Sequence, residues 1–285
     1  MEPTLNPEGG FLRLRIDFAY DGTQFNGWAR QPGLRTVQGE LESALSNLTR
    51  SEVELTVAGR TDAGVHATAQ VAHFDLPEHD KFGKEWNCED LTYRLNRMLQ
   101  EDIRISTLTF APEHFHARFS ALRRRYIYKI ADGKRQVEPL RRLDIVPWYR
   151  ALDIGKMNKA SELVLGEHDF ATFCKTGGAG TTIRRLEIFQ WRRMDDGTLL
   201  ADVVADAFCY SMVRNLVGAA VRVGEGRFEP TWMGELLANK TRVSESLVFP
   251  ARGLTLIGVD YPADSDLKAR AEMTARRRDE ESSSN

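Results

Sequence analysis

The chain has little cysteine, no long apolar run and almost no surplus charge, and the first two shortages each exclude something. Its three cysteines, Cys88, Cys174 and Cys209, are odd in number and far apart, and no C-x-x-C pair occurs. Neither a disulfide framework nor a zinc ribbon is expected; Cys174 reads as a buried thiol, and a reducing cytoplasm is the simplest setting. No apolar stretch approaches the roughly 20 residues of a membrane-spanning helix, so no membrane role is expected. The opening MEPTLNPEGG is acidic and polar where a signal peptide would be basic and then apolar. What is present is the balance of a soluble globular protein: 285 residues, 42% hydrophobic and 28% charged, enough for one large domain or two of ordinary size.

The net charge of −2 hides an uneven distribution. Residues 1–117 carry 11 basic and 18 acidic side chains, whereas 118–150 carry 10 basic and 3 acidic. The basic stretch contains Arg123, Arg124 and Arg125 followed by Tyr126 and Tyr128. A strand of alternating cations and aromatics can hold phosphates and stack bases. It can equally be a solvated face whose arginines meet nearby carboxylates, and this feature alone leaves the two readings even.

Hydrophobic periodicity sketches the fold. Leu12, Leu14, Ile16 and Phe18 alternate with polar residues as a half-buried strand does. A glycine-rich loop, 21–35, follows, and then Val37, Leu41, Ala44, Leu45 and Leu48 fall on one helical face with Thr36 placed to cap it. Strands at 53–57 and 68–76, a helix around 91–99 and a strand at 103–110 complete a β-α-β-β-α-β order. The second half repeats it. There is a long strand at 118–131, a helix from Ile154 to Val164, and a hairpin of 182–194 and 198–207 turning at Asp195-Asp196-Gly197. An apolar helix from Met212 ending near Gly224 and Gly226, a short helix near 232–237 and a strand at 254–260 complete it. The predicted fold class is α+β: two similar β-α-β-β-α-β (ferredoxin-like/RRM-like) halves with antiparallel sheets lining a central cleft. The expected domains are 11–117 and 118–262, followed by a charged, disordered or loosely helical tail over 263–285. RNA-recognition modules of this order stack bases on an open sheet face, but their aromatic octapeptide is missing here. A cleft between the halves suits an enzyme better.

One segment stands out chemically: Gly59-Arg60-Thr61-Asp62-Ala63-Gly64-Val65-His66-Ala67 leaves the end of a strand with a carboxylate bracketed by glycines. On an extended backbone Arg60 and Asp62 face the same side, and a nearby guanidinium favours an ionised carboxylate. Such a carboxylate in a water-poor cleft can act as nucleophile or electrostatic stabiliser. An aspartate between glycines is more commonly a turn residue, and composition alone favours that reading. Arg214 sits among Met212, Val213, Leu216 and Val217. It either snorkels to the surface or needs a carboxylate partner, for which Asp62 is available. Other constellations fail sooner. His114 and His116 lack an evident third metal ligand, the remaining histidines are scattered, and the glycine-rich run 176–180 is not followed by the Lys-Ser/Thr of a nucleotide loop. Nothing demands a metal or an organic cofactor.

The nine-residue block resembles the catalytic motif of the tRNA pseudouridine synthase A (TruA) family, and the likeness extends over nearly the whole chain. Supporting matches, in the same order, are Tyr20-Asp21-Gly22-Thr23 with Gly27-Trp28, Arg124-Arg125-Tyr126-Ile127-Tyr128, Met212-Val213-Arg214-Asn215-Leu216-Val217-Gly218, and Gly253-Leu254. The resemblance implies that Asp62 attacks the target nucleoside and that Arg60 helps open the RNA and fills the space of the flipped base. It also implies that Tyr126 stacks on the uracil, that Arg214 pairs with Asp62 and holds it ionised, and that Leu254 packs against the other edge of the base. It further implies a cofactor-free homodimer that isomerises uridines at three consecutive positions on the 3′ side of the tRNA anticodon stem-loop. Two departures stand against the family pattern: Ala29 replaces the usual Gln after the loop tryptophan, and Cys209 replaces a usual leucine. Two rival functions remain: a non-catalytic RNA-binding or tRNA chaperone protein, and a glycosidic hydrolase that would release free uracil. The second lacks a carboxylate clearly paired with Asp62.

Overall fold

The computed structural model describes residues 9–175, 181–239 and 248–283, with side chains described as far as 275; the glycine-rich run 176–180 lies outside the described residues. The chain forms two compact units. The first runs up to Leu122 and resumes at Ile257, and the second spans Arg123–Leu256.

The first unit contains β1 (Phe11–Tyr20), α1 (Val37–Thr49), β2 (Thr56–Val57), β3 (His66–Pro77), α2 (Cys88–Met98) and β4 (Ile103–Phe110). Its strands lie in the order β4-β1-β3, with β2 on the other edge of β3, and every pairing is antiparallel. This is the sheet order of the predicted β-α-β-β-α-β unit. Leu14, Ile16, Phe18 and Tyr20 are buried at alternate positions of β1, as period-2 patterning requires. Thr36 caps α1 by accepting a hydrogen bond from the Gly39 N–H, 3.3 Å. Val37, Leu41, Ala44 and Leu45 form the buried stripe of that helix.

The second unit contains β5 (Arg123–Asp132), β6 (Val146–Trp148), α3 (Ile154–Glu162), β7 (Gly166–Asp169), β8 (Ile183–Arg193), β9 (Leu199–Ala205), α4 (Met212–Gly224) and α5 (Thr231–Asn239). It also takes the start of β10 (Leu254–Asp260). Its strand order, β10-β5-β9-β8-β7, repeats that of the first unit with β7 added at the edge, and β6 runs parallel to β5. The β8–β9 hairpin turns at Gly197, whose φ of +81° lies in the left-handed region open to glycine. Helix α4 is buried almost all round, as its run of apolar residues predicts.

Two expectations need correction, and a third is narrowed. Residues 118–122 are not strand and belong to the first unit. His116 N donates to Ser120 Oγ and Ser120 N to the His116 carbonyl, 3.0 and 2.9 Å, so a local turn takes the hydrogen bonds a strand would need. The 257–262 segment also falls in the first unit, where the Tyr261 hydroxyl donates to the Ala117 carbonyl, 2.6 Å. Of the two forms expected for the tail it takes the helical one, as α6 (Leu267–Ser283). Leu267, Ala271 and Ala275, spaced by four, are buried, and Leu267 joins Ala58, Val71, Phe115 and Ala117.

Candidate active site

In the first unit, residues 58–65 connect β2 to β3 and carry Arg60 and Asp62. Arg60 is exposed, Thr61 buried and Asp62 half-buried, so the charged side chains flank one that is directed inward. The backbone is tied down on both sides of Asp62. The Thr61 carbonyl accepts from Trp28 N, 3.0 Å, and the Asp62 carbonyl from Val65 N, 3.2 Å. Gly64 N donates to the Phe25 carbonyl, 3.3 Å. Two glycines of the 21–35 loop permit this approach. A Cβ at Gly22 would stand 2.5 Å from the Val65 carbonyl carbon; Gly27, at φ +93°, would put one 3.1 Å from the Thr61 oxygen. Gly22 N also lies 3.0 Å from His66 Nδ1, which Asp21 Oδ1 approaches to 3.1 Å.

Beneath the loop, the Tyr20 hydroxyl lies 2.7 Å from Thr61 Oγ1, and Gln70 Nε2 donates to the Gly59 carbonyl at 2.9 Å and to the Tyr20 oxygen at 3.3 Å. Burial pushes the Tyr20 phenol up to about 12, against its hydrogen bonds with Thr61 and Gln70.

In the second unit, Tyr126 and Tyr128 share one face of β5 and are both buried, while Arg123 and Arg125 alternate onto the other, exposed face. Aromatics and most of the cations therefore lie on opposite sides of this strand. Several cations of the basic stretch meet carboxylates: Arg123 with Glu187, Lys129 and Arg141 with Asp144, and Arg135 with Asp132. Arg124, on the inner face, donates to the Asp206 carbonyl, 2.6 Å. Tyr126 meets Phe208 edge-on, with ring centroids 5.2 Å apart. Tyr128 donates to the Pro250 carbonyl at 2.5 Å, and a Cβ at Gly253 would lie 2.6 Å from its ring. Leu254, buried, follows directly. Arg214 is half-buried on α4, with its Nε 2.7 Å from the Phe249 carbonyl, and Phe249 N returns a bond to the Arg214 carbonyl, 3.1 Å. Burial raises the Tyr128 phenol, and the guanidinium groups of Arg214 and Arg252 oppose the rise. Each unit thus gathers its own candidates: Arg60 and Asp62 in the first, Tyr126, Arg214 and Leu254 in the second.

Sequence reasoning passed over the Tyr20–Thr61–Gln70 group and the Pro250–Gly253 clamp on Tyr128. Tyr20 was visible as part of a motif, but nothing in the sequence marked Gln70. It also misread Cys174. That residue is joined by a disulfide to Cys209 with Cα atoms 5.7 Å apart, and Lys175 N donates to the Tyr210 carbonyl beside it, 2.8 Å. A contact across 35 residues leaves no local spacing to read. Cys88 is the free cysteine. His73 and His116 are buried with ring centroids 4.7 Å apart, and among the described residues no group of three potential ligands could hold a metal ion. No described helix is long and apolar enough to cross a membrane.

Comparison with known proteins gives consistent matches. The family model described as tRNA pseudouridine synthase matches residues 18–120 and 160–262, one stretch from each half of the chain. The chain is 52% identical over 266 residues to a tRNA pseudouridine synthase A of Frankia casuarinae, covering 93% of this chain and 95% of that one. It is 49% identical to that of Streptomyces avermitilis, covering 94% and 95% of the two chains. Against the protein of the same name from Mycobacterium leprae it is 45% identical, with 92% and 94% covered.

Proposed function

Because this chain belongs to the tRNA pseudouridine synthase family and is an isomerase that converts uridine to pseudouridine, we propose the finer reading that follows. It acts on three consecutive uridine positions on the 3′ side of the tRNA anticodon stem-loop, and Asp62 is the attacking group. It works as a homodimer and needs no cofactor.

Isomerisation breaks the bond from N1 to C1′ and makes one from C5 to C1′. The C5 proton is lost, N1 gains a proton, and there is no net oxidation. A carboxylate can serve by either of two routes. It can displace the base at C1′ and be displaced in turn by C5, or it can add to the uracil ring, and both routes return the free carboxylate. On the first route it also stabilises positive charge developing at the sugar. The target base must leave its stack at a cost of roughly a few kcal/mol, which stacking on Tyr126 partly offsets. Arg60 occupies the space the base vacates, Leu254 closes on its other edge, and Arg214 is assigned as the cationic partner of Asp62. The detached uracil has to rotate without escaping, which requires a closed pocket.

The observation that carries this reading is the backbone of the Asp62 loop, fixed on both sides of a half-buried carboxylate. Mapping carbodiimide adducts on unmodified tRNA after incubation with the protein tests it. Adducts at adjacent uridines of the 3′ anticodon arm are expected. Adducts confined to another arm, or release of free uracil, would contradict it.

A further inference from the structure

Residues 59 and 61, on either side of Arg60, are gripped by a small set of buried side chains that the reaction itself does not use. Gln70 is fully buried on β3, and its amide orientation is fixed because Oε1 accepts from Val71 N, 3.2 Å. Its Nε2 then faces two acceptors, the Gly59 carbonyl and the Tyr20 oxygen. With Gln70 donating to the phenol, the single phenolic proton is left for Thr61 Oγ1, 2.7 Å away. On the other side Trp28 N holds the Thr61 carbonyl. Thr61 is therefore bound at side chain and backbone, and Gly59 at its carbonyl. A backbone held at 59 and 61 leaves little torsional freedom for where the side chains of 60 and 62 emerge.

We propose that Tyr20 and Gln70 are positioning residues for pseudouridine formation, acting through Thr61 and Gly59 to fix the direction in which Asp62 meets the target nucleoside. The inference rests on the reading of Asp62 given above. Such a network costs burial of polar groups, which is stabilising only when every member is satisfied. A misplacement of about 1 Å at a reacting group can cost on the order of a hundredfold in rate. A tyrosine that served only as core would act through its ring, which Tyr20→Phe leaves intact. The two roles therefore separate at the hydroxyl.

The test uses the full chain and unmodified tRNA, with single-turnover pseudouridine formation, KM for tRNA and thermal midpoint measured for each variant. Tyr20→Phe and Thr61→Val should each slow the single-turnover step about tenfold or more while KM stays within about twofold. Thr61→Ser, which keeps the hydroxyl, should restore the rate to within about threefold. The double variant Tyr20→Phe/Thr61→Val should lose about as much as either single one, because one hydrogen bond has been removed in each case. Should Tyr20→Phe fail to fold, the Val and Ser variants of Thr61 carry the test alone. Rates within twofold of the parent for both Tyr20→Phe and Thr61→Val, multiplicative losses in the double variant, or no recovery with Ser would overturn the proposal. Asp62→Asn separates the two claims. If it is inactive while Tyr20→Phe is normal, only the positioning role fails; if it is active, the assignment of Asp62 fails as well.

Discussion

Acidification from pH 7 to pH 5 should destabilise the first unit by about 2 kcal/mol through His116 alone. The His116 Nδ1 accepts from the backbone N–H groups of Arg118 and Phe119, 3.2 and 3.1 Å, and His73 Nδ1 accepts from that of Ala117, 3.0 Å. A ring nitrogen can accept only while unprotonated, so the folded chain selects neutral imidazoles. Burial, then the charges of Arg13 and Arg118, lower His116 to about 3, and burial with Arg13 and His116 lowers His73 well below its ordinary value. In the unfolded chain a histidine titrates near ~6.5. As pH falls through that value the unfolded state takes up a proton that folded His116 refuses until about 3. Stability is therefore complete above ~6.5 and lost below it, and linkage over two pH units gives the figure of about 2 kcal/mol, with His73 adding in the same direction. Asp132 and Asp144 do not confuse this window. Hydrogen bonds from Arg193 and Lys129 hold both below the ordinary carboxylate value despite burial, so their contribution is lost only in stronger acid. Urea unfolding at pH 7, 6 and 5, with ring signals of the two histidines followed by NMR, measures the effect. His116→Asn, which keeps an acceptor, should flatten the slope. Stability that is level from pH 7 to 5, or rings that titrate near their free value, would refute the reasoning.

Other outcomes follow from particular contacts. Gly22→Ala drives a methyl into the backbone of Val65 and should cost about 1–3 kcal/mol by overpacking, together with most of the activity; a fully active, equally stable variant would contradict the fit of the two loops. Without reductant, denatured protein should titrate a single thiol, that of Cys88, and reduction should expose three and lower stability by about 3–4 kcal/mol. Three thiols before reduction would exclude the Cys174–Cys209 bond. Leu267→Ala should destabilise by about 2–4 kcal/mol, because Leu267 is 1% exposed; a change under half a kilocalorie, measured by urea midpoint, would show that α6 is not part of the core.

The sequence was most legible where patterning is local and repeated. The apolar segments 103–110 and 254–260 match β4 and β10 to the residue, and Thr36 announces α1. The three-residue β6 and four-residue β7 are too short to show a period. Residues 118–122 look like strand because their side chains suit one, yet His116 and Ser120 take the local hydrogen bonds first. The charged composition of 264–285 concealed apolar residues at every fourth position, which are enough to seat a helix. At the candidate site the pattern is the same. Arg60, Asp62, Tyr126, Arg214 and Leu254 stand in recognisable motifs. Gln70 depends on the register that sets it opposite Phe18, two residues from Tyr20, and register is a property of pairing rather than of either strand. The cysteine pair is hidden for the same reason.

Single-turnover conversion by Asp62→Asn protein, at saturating unmodified tRNA and with tRNA binding measured in parallel, tests the central claim most directly. Loss of pseudouridine to background with binding retained is the predicted result. Product formed at an undiminished rate would mean that the carboxylate of Asp62 is not the attacking group.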